Sequence, residues 1–408
     1  MSGPYDVNAV REDFTCLSEG RGAPIYFDSA CVTLKPRQVV EAIVSYYNEH
    51  PSCHKRAVHK FGAATSRRLD EAREAIRRHL NVPKTGEVVF TRNTTESINL
   101  VANAFRFKQG DVVLTTDAEH NSNLLPWQFL QKHGKVAHRT ISIPVDAALT
   151  DLSELERELA AGSVRLVSVF HTSHVTGMTL PIAEITEMAH RHGALVLVDA
   201  AQGLAHHAID VAALDVDFLA LSFHKAFGPS GMGALYGKTD LLERLDPFLV
   251  GGETVEDVDY RSCELSAIPS RFEAGLLNYA GALGSARALQ YLDALGIEAV
   301  RAHELELNTF ITERLTGLSN VRVLGPPAPA QRGSIVNLQI SGMDAGELSI
   351  LLDKTNHIMT RAGVHCCHAW YRKHDLPATL RVSLSAYSTL GEAKVFTDTM
   401  EQMLRHFT

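Results

Sequence analysis

A chain of 408 residues has room for two or three domains and a large core. With 45% apolar and 21% charged residues it has the make-up of an ordinary soluble globular protein. The formal net charge of −8, with no block of like charge, leaves no electrostatic footprint for nucleic acid. No apolar stretch reaches the roughly 18 residues that span a membrane. The start, Met1-Ser-Gly-Pro-Tyr-Asp-Val-Asn8, lacks the basic and apolar regions of a signal peptide. Six cysteines, at 16, 31, 53, 263, 366 and 367, show no CxxC or framework spacing, which points to free thiols in a reducing cytoplasm.

In chain order, Ser66–Leu80 reads as a helix, its exposed face interleaving Arg67, Arg68, Arg73, Arg77 and Arg78 with Asp70, Glu71 and Glu74. A strand is expected over Glu87–Thr91, a helix over Ser97–Phe105 and a strand over Val112–Thr116. Strands at Leu166–His171 and Leu195–Asp199 are separated by a helix at Ile182–His192. Phe218–Ser222 and Ala234–Gly237 follow as strands, and Gly281–Leu295 reads as a long helix leaving this part. Extended runs alternating with helices are the signature of an α/β fold on a mainly parallel sheet. After about Ile297 the pattern changes to helices with shorter strands, Ser334–Ile340 and Thr379–Leu384, which suggests a smaller α+β domain. Gly325-Pro-Pro-Ala-Pro-Ala-Gln-Arg-Gly333 reads as a surface loop within it.

Candidate chemistry collects where strands end. Ala194-Leu-Val-Leu-Val198 ends at Asp199, and Asp217-Phe-Leu-Ala-Leu-Ser222 leads into Phe-His224-Lys225 before a glycine turn. A buried strand ending in a carboxylate, beside one ending in His-Lys, is what a pyridoxal 5'-phosphate (PLP) site requires. The lysine forms a Schiff base with the aldehyde, and the aspartate pairs with the ring nitrogen. Taken alone, Lys225 reads sooner as an ordinary solvated lysine in a strand-to-loop turn; the rest of the chain reverses that. Thr91-Arg-Asn-Thr94-Thr95-Glu96 opens a helix, and its backbone N–H groups and hydroxyls make either a phosphate cradle or a plain threonine cap. His120, after the next strand, is placed to stack on a flat ring; a lone histidine there is more often structural. Gln202 lies three residues after Asp199, within reach of a ring oxygen, and His224 within reach of a phosphate.

With these motifs in this order, the sequence resembles the class V (fold type I) PLP enzymes, most closely the cysteine desulfurases of the SufS type. The likeness runs from Ile25-Tyr-Phe-Asp28-Ser-Ala30 to Arg381-Val-Ser-Leu-Ser385. It includes Asn93-Thr-Thr-Glu-Ser-Ile-Asn-Leu-Val101, Glu119-His120, Pro126-Trp127-Gln128, Val198-Asp199-Ala-Ala-Gln202 and His206-His207. His224-Lys225, Arg271-Phe-Glu-Ala-Gly275 and Arg361-Ala-Gly-Val-His-Cys366 complete it. The resemblance implies a large PLP-binding domain over 25–285 with a seven-stranded, mainly parallel sheet flanked by helices. It also implies a segment 1–24 packing on a small C-terminal domain, 286–408, that carries a catalytic cysteine loop. Lys225, Asp199, Gln202, His120, Thr94, Thr95, Ser222, His224 and His174 would hold PLP. Arg381, Arg361 and Arg56 would hold the substrate, L-cysteine, and Lys225, His120 and Cys366 would be catalytic. The loop Arg271–Gly275 would reach a partner's active site in a homodimer. The product sulfur would pass to an acceptor such as a SufE-like protein or a scaffold, for iron–sulfur clusters or thiolated cofactors. The alternative on the same fold is a selenocysteine lyase or another C–S or C–Se lyase.

The segment His365-Cys366-Cys367-His368 invites a metal reading, but four consecutive residues do not wrap a tetrahedral ion. The neighbouring Arg361, Gly363 and His365 suggest a polar loop, and cationic groups near a thiol keep it reactive. The resemblance puts the persulfide-forming thiol at Cys366 and leaves Cys367 as a spare, a relay or core packing. Three positions depart from the family pattern: His174 replaces an asparagine, Leu276 a threonine, and Asn121 a second histidine.

Overall fold

A computed structural model of the chain describes residues 5–17, 24–55 and 57–406; Arg56 lies outside them. Seven strands form the large sheet: β1 (Gly86–Thr91), β2 (Val112–Thr116), β3 (Ala137–Ile141), β4 (Val164–Phe170), β5 (Leu195–Asp199), β6 (Phe218–Ser222) and β7 (Gly233–Lys238). Their order is β1-β7-β6-β5-β4-β2-β3. The pairings from β6 through to β3 are parallel, whereas β7 runs antiparallel to both of its neighbours. The sheet is thus mixed, with its parallel part at the centre. Central strands covered on both faces need apolar side chains on both, which is why β5 and β6 read as unbroken apolar runs. The strand β3 was not expected from the sequence. It is a sheet edge whose residues Ala137-His-Arg-Thr-Ile141 are mostly exposed, so no apolar run marks it.

Helices α1 (Lys60–His79), α2 (Thr94–Ala104), α3 (Asn121–Lys132), α4 (Ile182–Arg191) and α5 (Tyr279–Leu295) flank this sheet. The second of them starts three residues before the expected Ser97, because its cap is Asn93. The Asn93 side chain accepts from the Glu96 N–H, while the Glu96 carboxylate accepts from the Arg92 N–H, a reciprocal capping arrangement. The expected division at 285/286 falls inside α5, so the two parts are joined through continuous helix rather than a loop.

A second, wholly antiparallel sheet holds β8 (Val321–Leu324), β9 (Ile335–Ile340), β10 (Arg361–Gly363) and β11 (Thr379–Ser383), in the order β8-β9-β11-β10. Val336, Leu338, Leu380 and Val382 pack on α6 (Ile297–Leu315) and α7 (Leu390–His406) through Leu307, Ile311, Phe396 and Met400. Asp28 bridges to Ser383, so the chain start lies against this sheet. Tyr5 and Arg11 donate to the carbonyls of Ala386 and Tyr387 at 2.7 and 2.6 Å.

The segment Gly325–Gly333 is not the plain surface loop its composition suggests. Gly325, Pro326 and Arg332 are buried. The Arg332 guanidinium donates to the carbonyls of Pro326 and Pro327 and to Asn308 and Thr312 side chains, so it satisfies its loop from within. Gly177 abuts this loop at φ +76, and a Cβ there would meet the Arg332 carbonyl oxygen at 1.8 Å. Glycine is therefore obligatory, and it fixes the turn that carries His174.

Glu273, in the Arg271–Gly275 loop, forms a two-pronged ion pair with Arg73 at 2.7 and 2.9 Å and accepts from the Phe90 N–H. It is 5% exposed. Removing one partner of a buried pair strands the other charge, so Glu273→Ala is expected to cost roughly 3–5 kcal/mol. The measurement is the shift in urea unfolding midpoint. A change below about 1 kcal/mol would mean that water takes over the pairing.

Candidate active site

The carboxyl ends of β2, β4, β5 and β6 open into a cavity of about 250 Å³ walled on its far side by β10 and β11. Asp199 closes β5, Ser222 closes β6, and Lys225 follows in a short 3-10 turn, Phe223–Lys225. Strand ends are where an open α/β sheet presents side chains to a ligand. Lys225 is partly exposed to the cavity and Asp199 is 7% exposed. Burial pushes the Lys225 amine below the ordinary lysine range; Asp199 opposes this and Arg381 adds to it. Burial likewise pushes the Asp199 carboxyl up, against the Ala201 N–H and the charge of Lys225. A neutral amine is the nucleophilic form of lysine, so this environment suits attack on a carbonyl.

Around this pair the expected residues converge on one cavity. Thr94, Thr95, His120, Gln202, Ser222, His224, His174, Arg361, Arg381 and Cys366 all line it. The Ser222 hydroxyl accepts from the Thr94 N–H and meets the Thr94 hydroxyl, both at 2.8 Å, which locks the start of α2 to the end of β6. Thr95 pairs with Ser122 across to α3. Among the described residues, buried Oε1 of Gln202 and Nε of Arg381 have no hydrogen-bond partner. Orphaned buried polar atoms in one cavity are what a polar guest satisfies.

His120 caps α3, its Nδ1 accepting from the Ser122 N–H. Burial pushes the ring down to about 3, with Lys225 and Arg381 adding to the effect, so it is neutral. It meets His174 edge-on at a centroid distance of 4.9 Å. Glu119 beside it is buried and anchors the turn through Thr116, Asn123 and the Phe170 N–H. Burial dominates over those three donors and pushes its carboxyl up to about 8.

The cysteine loop is pinned on several sides. His365 and Cys366 both adopt left-handed backbone, φ 49 and 58. His174 is buried and held neutral by burial, with His120, Lys225 and Arg381 adding. Its Nε2 lies 2.8 Å from the His365 carbonyl oxygen, so that nitrogen carries the proton and donates. The Asn121 N–H donates to the Cys366 carbonyl at 2.9 Å, and the Asn121 side chain meets His368. Two of the three departures from the family pattern therefore act on this loop. Cys366 is exposed, whereas Cys367 is 1% exposed and its thiol donates to the Glu119 carbonyl. Burial pushes the Cys367 thiol well above the ordinary range, which fits core packing.

Arg361 and Arg381 face each other across the β10–β11 ladder. The Asp28 carboxylate lies 3.4 and 3.5 Å from their guanidiniums. Arg381 also donates to the His174 carbonyl at 2.8 Å. The family described as Aminotransferase class-V matches residues 25–396. The chain belongs to that family. Among its relatives, a cysteine desulfurase of Synechococcus elongatus is 37% identical over 393 residues, covering 95% of this chain and 62% of that protein. A cysteine desulfurase of Haloferax volcanii is 35% identical over 418 residues, covering 98% and 97% of the two chains. The apo structure of a cysteine desulfurase from Thermococcus onnurineus superposes with a TM-score of 0.93 at 33% identity, over the whole of both chains. The chain thus spans under two thirds of the Synechococcus protein and nearly all of the other two. In this class-V chain, Asp28 and Cys31 also belong to the cavity region, though the sequence alone assigned them no role. Their only signal was position inside otherwise diagnostic motifs.

Proposed function

We propose that the protein is a PLP-dependent cysteine desulfurase, converting L-cysteine to L-alanine and leaving the sulfur on Cys366. The observation that carries this reading is the exposed Cys366 thiol, on a left-handed turn, lining the same cavity as Lys225, Asp199 and Arg381. The residues fit the cofactor. Lys225 offers a desolvated amine for its aldehyde, and Asp199 a carboxylate for its ring nitrogen. Gln202 offers a side chain with an unmet acceptor, and Thr94, Thr95, Ser222 and His224, which line the same cavity, would hold its phosphate. When bound, PLP supplies the electron sink that loosens the bonds at the amino acid's α and β carbons.

The chain's own groups do the rest. Arg381 and Arg361 hold the substrate carboxylate, a task for planar, multidentate guanidiniums. Lys225 Nζ would accept the substrate's α-proton. His120, held neutral, would pack against the cofactor and pass protons without adding charge. Cys366 Sγ then bonds to the substrate sulfur as the carbon–sulfur bond breaks, so L-cysteine and a thiol become alanine and a persulfide. The neutral His174 and the Asn121 N–H keep the attacking turn in place through two carbonyls.

In its wider setting we place the protein in the cytoplasm as a homodimer, with the Arg271–Gly275 loop and exposed Leu276 facing the partner. We further place an acceptor protein, SufE-like or a scaffold, downstream for iron–sulfur or thio-cofactor synthesis. Among the described residues no helix is long and apolar enough to cross a membrane. Given L-cysteine and a reductant, the PLP-loaded protein is expected to release alanine and sulfide in equal amounts. Cofactor bound without any alanine would overturn the substrate assignment and turn attention to His174.

A further inference from the structure

Cys31 is a second thiol in the wall of the cavity that holds Cys366 and Lys225. It ends the turn Asp28–Cys31, in which its N–H donates to the Asp28 carbonyl and the Ala30 N–H donates to the Ser383 hydroxyl at 2.9 Å. That turn is thereby fastened to the strand carrying Arg381. Arg361 donates through Nη1 to the Cys31 sulfur at 2.8 Å. Arg361 also starts the segment that leads to Cys366 five residues on. Thiols with a guanidinium partner are the reactive ones in proteins. No other cysteine combines these properties: Cys367 is enclosed in the core, and Cys16, Cys53 and Cys263 do not line the cavity.

We propose that Cys31 is a second sulfur-carrying residue, which takes the terminal sulfur from the Cys366 persulfide inside the cavity. This rests on the desulfurase reading. In the step, a lone pair of the Cys31 sulfur forms a bond to the terminal sulfur of Cys366–S–SH. The sulfur–sulfur bond to Cys366 breaks, and its electron pair leaves with the Cys366 sulfur. The Cys31 proton ends on Cys366, so a thiol and a persulfide exchange places with no oxidant or reductant consumed. Cys366 is then free for another substrate while the first sulfur waits on Cys31, oriented by Arg361.

The test gives the PLP-loaded protein L-cysteine without reductant, quenches with an alkylating reagent, and locates added sulfur by peptide mass spectrometry. Wild type is expected to form about two alanines per chain in the first burst, with one extra sulfur on each of Cys31 and Cys366. Cys31→Ser is expected to form about one, with sulfur on Cys366 alone, and Cys366→Ser neither alanine nor labelled Cys31. Independently of turnover, Arg361→Gln is expected to slow alkylation of Cys31 in the cofactor-free protein about tenfold. An unmodified Cys31 beside a sulfurated Cys366 in wild type overturns the proposal. So does two sulfurs stacked on Cys366, sulfur on Cys367 in place of Cys31, or a labelled Cys31 in Cys366→Ser. No alanine from wild type removes the desulfurase reading and this proposal with it.

Discussion

Substituting alanine for Cys366 is expected to cut alanine and sulfide formation from L-cysteine at least about a thousandfold, roughly 4 kcal/mol of transition-state stabilisation. The side chain sits exposed at the tip of a turn held by its backbone, through the His365 and Cys366 carbonyls. Truncation therefore removes the nucleophile without loosening the fold or the cofactor pocket. The variant is expected to bind PLP as wild type does and to keep the spectral response to added L-cysteine, since Lys225, Asp199 and Arg381 are untouched. Alanine formation within about threefold of wild type would show that the thiol is not the sulfur acceptor. A direct carbon–sulfur or carbon–selenium lyase would then be the better description, and L-selenocysteine the substrate to try.

Lys225→Ala is expected to be at least as damaging, on the order of a thousandfold or more, because one side chain serves as both covalent tether and proton carrier. Borohydride reduction is expected to fix PLP to wild type at the peptide containing Lys225, and to leave the variant's cofactor removable by dialysis. Stability is not expected to fall, since burial already disfavours the Lys225 charge. The complementary variant Asp199→Ala would leave that amine less supported, because Asp199 is what opposes its loss of charge. Cofactor fixed elsewhere in wild type, or an active Lys225→Ala protein, would remove the lysine from the centre of the chemistry.

Legibility followed burial. The strands that end in Asp199 and Ser222 are apolar on both faces because helices cover them, so their ends, and the residues there, could be read directly. The edge strand Ala137–Ile141 has little to bury and left no pattern. The helix at Thr94 begins on side-chain capping by Asn93, which apolar periodicity cannot register. Arg332 was read as part of a polar surface loop, yet its five donors make a buried knot possible by meeting that loop's carbonyls. The site was legible where motifs are contiguous. His174's partner, the Asp28 carboxylate between two arginines, and the Arg361–Cys31 contact join residues 191, 333, 353 and 330 positions apart. Only the folded chain brings such pairs together.

The directly opposed positions of Arg361 and Arg381 carry a last implication. Two guanidiniums on one rung share a single carboxylate, Asp28, so this corner of the wall holds a residual positive charge. A zwitterionic amino acid would complete that charge balance, whereas a plain amine would add a third cation. A one-residue slip of the short edge strand would turn its arginine to the opposite face. Discrimination between carboxylated and uncarboxylated amines would thus depend on strand register, in a sheet that does not carry the lysine.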